Sequence, residues 1–564
     1  DQSLISSGGG IFDRSAKAIE LTPEIQALTG LSAKTVTPDE LIHALLKADC
    51  ELLWFGGIGT YIKSRHETDS DAGDRANDSV RINGGDLKAK VIGEGAKLGL
   101  TQAGRIEAAL NGVHVNTDAI DNSAGVDSSD HEVNIKILCT EAIRRGELPS
   151  GERNTLLASM TDNVASHVLA HNYAQTSALS LAENTAARDH DALERLMIRL
   201  EERDVLNRTV EGLPSTTDMA QFKQDGRTLT RPEIAVLMAW TKIVLFDDLV
   251  ASSVPDDPYF HDTLAGYFPD ALRKYEDVMQ AHRLKREIVS TVLANRIVDI
   301  AGPVFILRLR EQTGAPSADI VAAFEIANAL FETSGLLEQV NQLDNQVPAQ
   351  RQMALQSLLS GSLATLTHGV LSVGEGQPVQ DRIQALTAAR EALANIATGD
   401  LPAYERALEQ RRIKQNARDG IPTELAEAIA RTKITASAAQ LSKLAARSDR
   451  SAADVAGAYL AMGDALSLDR LRTAAEQALS DMPYWDRLAT RGLTRELEQL
   501  QSDATHLALK AESPKAWTQQ NRGDLRTLLQ EIKTFTGSKP SFAQFALATD
   551  AVRKFMNNAA ASNL

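Results

Sequence analysis

Cysteine and aromatic residues are scarce in this sequence of 564 residues. There are only two cysteines, Cys50 and Cys139, and aromatic residues make up 4% of the chain. Two cysteines cannot form a disulfide framework or a cysteine-rich zinc site, and so low a content is typical of a reducing compartment. The sequence therefore predicts a cytoplasmic protein whose core is mainly aliphatic.

Basic charge and long apolar runs are lacking as well. The chain has 59 Lys and Arg against 75 Asp and Glu, which gives a net charge of −16. Because binding to nucleic-acid phosphates requires a surplus of basic residues, this balance argues against a nucleic-acid partner. The most apolar stretch, 234–246, is interrupted by Lys242, whereas a membrane-spanning helix needs about 20 apolar residues. We therefore expect no membrane partner.

The amino terminus lacks a methionine and a signal peptide. The chain begins at Asp1, and no basic segment followed by an apolar segment comes after it. We interpret the sequence as a piece of a longer polypeptide. Functional residues that lie upstream in that polypeptide would then be absent from this chain.

The pattern of residues changes near 146–151 and divides the sequence into two regions. Residues 1–148 combine glycine clusters, short apolar runs and acidic loops, which predict an α/β domain. Residues 149–564 show helical periodicity, which predicts a large all-α region that can comprise two or more subdomains. No fixed-period repeat is present, so a solenoid is not favoured.

Three short apolar runs in the first domain predict strands of a parallel sheet. They are 52–55, 90–92 and 112–118, and a helix that starts with the capping pattern Thr37-Pro38-Asp39-Glu40 precedes the first. A second helix is predicted over 132–145. Buried strands joined by helices imply a parallel α/β sheet, and ligands of such sheets bind beyond the carboxyl ends of the strands. Those ends carry Gly56–Gly59, Glu94–Ala96 and Asp121–Ser123.

The second region contains further helix signals. Thr230-Arg231-Pro232-Glu233 is another capping pattern and predicts a helix that runs to about Leu249. Apolar spacing predicts a helix over 283–300 that ends or bends at Gly302-Pro303. Long amphipathic helices of this kind are typical of helix–helix packing.

Short motifs for other kinds of site are weak. Gly56-Gly57-Ile58-Gly59 has neither the G-x-G-x-x-G spacing nor the end of a P-loop, so we interpret it as a tight turn at a strand end. His167 and His171 have an i, i+4 spacing that can hold a metal, but no third ligand is evident, and we favour an ordinary helix face. Ser129-Asp130-His131 has the residue types of a hydrolase triad, yet consecutive residues rarely converge. We therefore predict neither a metal site nor a hydrolase.

Longer strings resemble the large bacterial NAD-specific glutamate dehydrogenases. The resemblance is strongest in the first domain and extends through the helical region. The strings are LLWFGGIGTY at 52–61, GDRAND at 73–78, GEGA at 93–96, NTDAIDNSAGV at 116–126, SDHEVNIK at 129–136, LTRPE at 229–233 and HRLKRE at 282–287.

The resemblance implies a fold and an activity. The fold would be the later half of a doubly wound, Rossmann-like NAD-binding domain followed by the helical carboxyl-terminal region. The activity would be the oxidative deamination of L-glutamate to 2-oxoglutarate and ammonia, with NAD as the cofactor and a homo-oligomer as the assembly. The family's glycine-rich loop and its catalytic lysine and aspartate lie upstream, so we expect no catalytic residue here and no activity of this chain without the remainder of the polypeptide.

Individual residues match the family at the cofactor and substrate. The turn at 56–58 would run along the cofactor, the turn at 94–96 would lie beside the nicotinamide half, and one asparagine would lie near the carboxamide. Ser129 would lie near the side-chain carboxylate of the substrate. The cofactor-binding residues implied in this way are Gly56, Gly57, Ile58, Glu94, Gly95, Ala96 and Asn122.

Lys97 departs from the family pattern, which has Asn at this position. Lysine is only a donor, and its charge would disfavour the cationic oxidised nicotinamide ring. It would instead contact a phosphate or a carboxylate, and we do not assign it to the site.

Two other functions stay open. The helical region can be interpreted as a structural or regulatory oligomerisation module, because no convergent polar site is evident after residue 149. Alternatively, the enzyme is a dehydrogenase for another amino acid, because the residues that discriminate between substrates lie upstream.

Overall fold

The computed structural model describes residues 2–57, 59–95, 97–511, 513–535 and 539–561. The chain divides into two compact units. The first unit comprises Asp1–Phe246 and Asp262–Pro303, and the second comprises Asp247–His261 and Val304–Leu564. Helices dominate both units, and the strands that the described residues form all lie in the first.

The first unit begins with mixed α/β structure and continues with helices. Its strands are β1 (Ile19–Glu20), β2 (Thr35–Val36), β3 (Leu52–Phe55), β4 (Ile62–Lys63), β5 (Ile82–Asn83), β6 (Val91–Glu94) and β7 (His114–Val115). Its helices are α1 (Pro23–Thr29), α2 (Pro38–Leu46), α3 (Gln102–Leu110), α4 (Asp118–Asp121), α5 (Ser123–Arg144), α6 (Arg153–Ser159), α7 (Thr161–Glu202), α8 (Thr216–Asp225), α9 (Arg231–Val250), α10 (His261–Tyr267), α11 (Glu276–Gln280) and α12 (Lys285–Ala301). Helices α9 and α10 each run past a boundary of this unit.

The remaining helices belong to the second unit. They are α13 (Phe305–Thr313), α14 (Ser317–Phe331), α15 (Thr333–Asn341), α16 (Ala349–Val370), α17 (Val379–Ala394), α18 (Ala403–Arg418), α19 (Thr423–Thr435), α20 (Ala438–Ser448), α21 (Ala452–Ala465), α22 (Leu468–Ala478), α23 (Tyr484–Lys510), α24 (Pro514–Gln520), α25 (Arg522–Phe535) and α26 (Phe542–Ala561).

A small parallel sheet forms in the first unit with the strand order β3-β6-β7. Leu52 pairs with Val91 and Phe55 with Glu94, and Ile92 pairs with Val115 on the other side of β6. The short strands β4 and β5 form a separate parallel pair, and β1 and β2 form an antiparallel pair. The prediction of a parallel sheet followed by a large helical region is confirmed at this level.

The two faces of the parallel sheet differ in how they are covered. Phe55 and Ile92 are buried in a core cluster that also includes side chains of α3. On the other face Leu52, Trp54 and Val91 remain 55%, 59% and 41% exposed. Because side chains alternate between the faces of a strand, these three belong to a single face. The expectation of buried strands therefore holds on one face of the sheet and is wrong on the other.

Close approach of the backbone fixes α3 against the loop after β5. A Cβ built on Gly84 would lie 2.5 Å from the carbonyl oxygen of Gly104 and 3.0 Å from the backbone nitrogen of Ala108. Backbone atoms cannot retreat as a flexible side chain can, so a larger residue at Gly84 would push α3 away from its place.

Helices of the second unit bury separate apolar clusters. One cluster draws side chains from α21 to α26 and contains Trp517 and Phe545. Another joins α15, α16 and α19 through Val340, Leu355 and Leu425. As the composition predicts, aliphatic side chains make up most of both clusters.

Several helix ends agree with the sequence patterns. The side chain of Thr37 accepts the backbone N–H of Glu40, whose carboxylate accepts the N–H of Thr37 at the start of α2. Glu233 accepts the N–H of Thr230 in the same way at the start of α9. Helix α12 ends before Gly302, which has φ of +83°.

Helix α5 differs from the prediction because it begins at Ser123, nine residues before the predicted start. The polar residues of its first half hide the apolar periodicity, while packing against α7 supports that half in the fold.

Among the described residues, no single helix has the length and apolar character to cross a membrane. Helices α14 and α15 pass that test only when taken together, and they meet at a bend of 67°.

Candidate functional site

The carboxyl ends of β3 and β6 lie side by side. Because Phe55 and Glu94 are register partners, Gly56 and Gly95 leave neighbouring strands at the same edge of the sheet. Gly56 and Gly57 are exposed, and a Cβ built on Gly57 would meet no atom of the described chain within 4 Å. The backbone of this turn is therefore accessible to a ligand.

Trp54 lies across two glycines of the neighbouring strand and its end. A Cβ on Gly93 would lie 2.5 Å from the indole Cε3, and one on Gly95 would lie 2.3 Å from Cζ2. Real Cβ atoms do not approach so closely, so a side chain at either position would displace the indole ring. Gly95 is thus required by the packing of Trp54.

Glu94 and Arg105 form a buried ion pair behind the end of β6. Arg105 Nε lies 2.6 Å from Oε2 and Nη2 lies 2.9 Å from Oε1 of Glu94, a bidentate geometry. The backbone N–H of Leu100 also donates to Oε1 at 3.1 Å. Since protein donors engage both oxygens, the Glu94 side chain attaches β6 to α3.

Helix α4 holds the segments that follow β6 and β7. Asp121 accepts the backbone N–H of Glu94 at 2.9 Å and the side-chain N–H of Asn116 at 2.6 Å. Asp118 accepts the backbone N–H of Leu98 at 3.0 Å. Two carboxylates of one short helix therefore fix the loops at this edge of the sheet.

Arg231 connects the end of β7 to α7 from the first residue of α9. Its guanidinium donates to the side chain of Asn116, to the carbonyl of Thr176 at 3.2 Å and to the hydroxyl of Ser180 at 2.9 Å. Glu183 completes the set with an ion pair at 3.1 Å. The family-like string at 229–233 thus has a structural role in the first unit.

The structure places the two remaining candidates on either side of the start of α5. Asn122 is half-buried at the junction of α4 and α5. Ser129 is exposed within α5, about 9 Å along the helix axis from its first residue. Lys97 is exposed in the turn after β6.

Two predicted site residues, Ile58 and Ala96, lie outside the described residues. Conversely, sequence reasoning missed Arg105, Asp118 and Asp121 as residues that shape this edge. The only local signal for the aspartates was their i, i+3 spacing, and the signal for Arg105 was its position on the inner face of α3.

The consecutive residues Ser129, Asp130 and His131 do not converge. Ser129 and Asp130 are exposed, whereas His131 is completely buried on the opposite side of α5. His131 instead faces His167 and His171 of α7, with ring centroids 5.8 Å away in both cases.

Two family models match the chain. Residues 1–182 match the bacterial NAD-glutamate dehydrogenase catalytic domain, and residues 226–554 match the glutamate dehydrogenase C-terminal family.

Curated relatives extend the same similarity over nearly the whole chain. Proteins named NAD-specific glutamate dehydrogenase from Pseudomonas aeruginosa and Halomonas elongata are 40% and 39% identical over 97% of the chain, which covers 34% of each relative. One with the same name from Mycobacterium tuberculosis is 37% identical over 86% of the chain, which covers 30% of that relative. The chain thus spans about a third of the length of these proteins. The resemblance seen in the sequence is confirmed, and the chain belongs to the bacterial NAD-glutamate dehydrogenase family.

Proposed function

We propose that this chain supplies the later half of a doubly wound, Rossmann-like NAD-binding domain and the helical carboxyl-terminal region of an NAD-specific glutamate dehydrogenase. The enzyme would convert L-glutamate to 2-oxoglutarate and ammonia. The predicted boundary between the two regions, at residues 148 and 149, the homo-oligomeric assembly and the cytoplasmic location are parts of this proposal.

The open edge of β3 is the observation that carries the proposal. In doubly wound folds helices cover both faces of a parallel sheet, and inner strands pair on both sides. Here β3 pairs only with β6 among the described residues, and one of its faces is exposed. A further parallel strand and its helix, from the two thirds of the relatives that this chain does not cover, would complete such a sheet.

The carboxyl edge of the sheet fits a dinucleotide. The backbone of Gly56 and Gly57 is exposed, and the space around Gly57 is open. The amide of Asn122 can both donate and accept, as recognition of a carboxamide requires. When bound, NAD accepts the hydride, while the protein orients the reactants. Glu94 would act as a positioning residue through Arg105, and Ile58 and Ala96 remain candidates from the resemblance. The residues that would contact the cofactor are Gly56, Gly57, Gly95 and Asn122.

Ser129 is the candidate for the substrate side. Its exposed hydroxyl on α5 can donate a hydrogen bond to the side-chain carboxylate of glutamate. A hydrogen bond to a charged group contributes about 1.5–3 kcal/mol, so it would select substrates with an acidic side chain.

Replacement of Ser129 in the complete enzyme tests this assignment. We expect Ser129→Ala to raise KM for glutamate by about 10–100-fold, the factor that corresponds to losing such a hydrogen bond, with little change in KM for NAD. Ser128→Ala is the matched control, because Ser128 is the exposed neighbour on the same helix. Equal glutamate KM values for the two variants would remove Ser129 from the site.

The broader alternatives make different predictions for the same enzyme. If the substrate is another amino acid, a screen of amino acids will show a higher kcat/KM for one without an acidic side chain. If the helical region 149–564 is an assembly module, deleting it from the complete enzyme will change the oligomer size measured by light scattering.

A further inference from the structure

Four ionisable side chains meet where α5 packs on α7 in the first unit. Asp127 and His131 are one turn apart on α5, and His167 and His171 are one turn apart on α7. The i, i+4 spacing places each pair on one face of its helix. We call these four residues the histidine cluster.

Three members of the histidine cluster have ligand atoms close enough to share a metal ion. Asp127 Oδ2 lies 2.8 Å from His171 Nδ1, and Asp127 Oδ1 lies 3.6 Å from His131 Nε2. One ligand atom from each of the three residues lies within 4.8 Å of the others. Tetrahedral zinc with bonds of about 2.0–2.1 Å needs ligand separations of about 3.3 Å. The two measured carboxylate–imidazole distances lie on either side of that value.

His131 is a buried imidazole whose ring nitrogens lack hydrogen-bond partners within the described residues. Its side chain is completely buried, and within the described part of the chain neither ring nitrogen has a hydrogen-bond partner. Leaving polar atoms buried and unpaired costs about 1–3 kcal/mol per group. A cation on Nε2 would offset this cost.

The other members of the histidine cluster have distinct positions. His171 is half exposed, which gives an ion a path from solvent. Asp127 is a quarter exposed. His167 is hydrogen-bonded to the backbone of Tyr267, so we do not count it among the ligands.

We propose that Asp127, His131 and His171 bind one divalent transition-metal ion of the zinc class, with water in the remaining position. Two imidazoles and one carboxylate form a ligand set that zinc uses in proteins. The ion would cross-link α5 to α7. Its two ligands on α5, Asp127 and His131, flank Ser129 in the sequence. The site depends only on this chain and not on the proposed dehydrogenase function.

Titration of the metal-free chain with zinc chloride tests the proposal. After treatment with a chelator, calorimetry should show one equivalent of Zn²⁺ bound per chain. His171→Ala and Asp127→Asn should each weaken binding by at least about tenfold. His66→Ala is the matched control, because it removes another exposed histidine of the first unit and should leave the affinity unchanged.

Co²⁺ provides a second readout that does not depend on activity. The visible absorption of the bound ion should have the intensity of a four-coordinate nitrogen–oxygen site and should disappear in His171→Ala. Circular dichroism of each variant checks that it is folded. Absence of stoichiometric binding to the folded wild type, or equal affinities of His171→Ala and His66→Ala, would overturn the proposal.

Discussion

The buried pair of Glu94 and Arg105 gives one residue of the predicted cofactor-binding turn a structural role as well. Glu94 is completely buried and both its oxygens are engaged. The resemblance places it beside the cofactor, while the contacts show that its side chain orients the end of β6.

We expect Glu94→Gln to destabilise the protein strongly. The change removes the bidentate carboxylate from the buried Arg105 guanidinium and leaves Asp118, 3.3 Å from Nη2, as its anion. Because the charge keeps one partner, we expect a loss of about 1.5–3 kcal/mol, the contribution of hydrogen bonds to a charged group. Urea unfolding followed by circular dichroism measures the loss. Glu51→Gln is the control, because its pair with Lys90 is largely exposed and should contribute only about 0–1 kcal/mol. Equal stabilities of the two variants would contradict a role for Glu94 in holding β6.

At the scale of elements, the outer edge of β3 bears most directly on the proposed fold. Its outer edge has no strand partner among the described residues, and its side chains at positions 52 and 54 are exposed. Exposed apolar edge strands readily pair with other chains unless something covers them. In the proposed doubly wound sheet, β3 would be an interior strand that pairs with a further strand at this edge.

Leu52→Lys should distinguish an interior strand from a true edge strand. In this chain alone we expect a change in unfolding free energy within about 0.5 kcal/mol, because the side chain is exposed. In the complete enzyme we expect a clear fall in melting temperature, since the new charge would be buried at the completed sheet. Leu110→Lys, at an exposed site at the end of α3, should have little effect in both contexts. A harmless Leu52→Lys in the complete enzyme would contradict the doubly wound sheet.

Local patterns predicted some elements well and others poorly. The run 52–55 became β3 without a shift, and the capping pattern at Thr37 became the start of α2, because both depend on adjacent residues. The first half of α5 was missed because contacts with α7, distant in sequence, support it. The positions of the turns at Gly56 and Gly95 could be predicted because each turn directly follows a predicted strand. The pairing of Glu94 on β6 with Arg105 on α3, and of Asp127 on α5 with His171 on α7, could not be predicted because it depends on how separate elements pack in space.

At the scale of the whole molecule, the ionisation of Glu405 in the second unit makes the free energy of unfolding depend on pH. Burial and the nearby Asp469 raise the pKa of Glu405 to about 7 from its ordinary value of 4.5, and Arg472 opposes the shift. An acid whose pKa is raised by folding favours the folded state when it is protonated. The contribution of Glu405 to the free energy of unfolding should therefore be fully present below pH 4.5 and should be lost as the pH rises to about 7.

Glu405→Gln should remove this pH dependence. The amide resembles the protonated acid, so the melting temperature of the variant should match the wild type at pH 4.5 and exceed it at pH 8, by about 2–4 °C if the group is worth about 1 kcal/mol. Differential scanning calorimetry across this range measures the effect. Glu424→Gln, at an exposed position of α19, should follow the wild type at every pH. A variant no more stable than the wild type at pH 8 would contradict the buried environment of Glu405.

The exposed indole of Trp54 gives the uncovered sheet face an optical reporter. Trp54 is 59% exposed, in contrast to the completely buried Trp517. Docking of a protein layer on this face would move the indole from water into an apolar environment and shift its fluorescence emission to shorter wavelength. The difference between spectra of the wild type and Trp54→Phe isolates this signal from the other three tryptophans of the chain. Covering of this sheet face could in this way be followed in real time, without a label and without turnover.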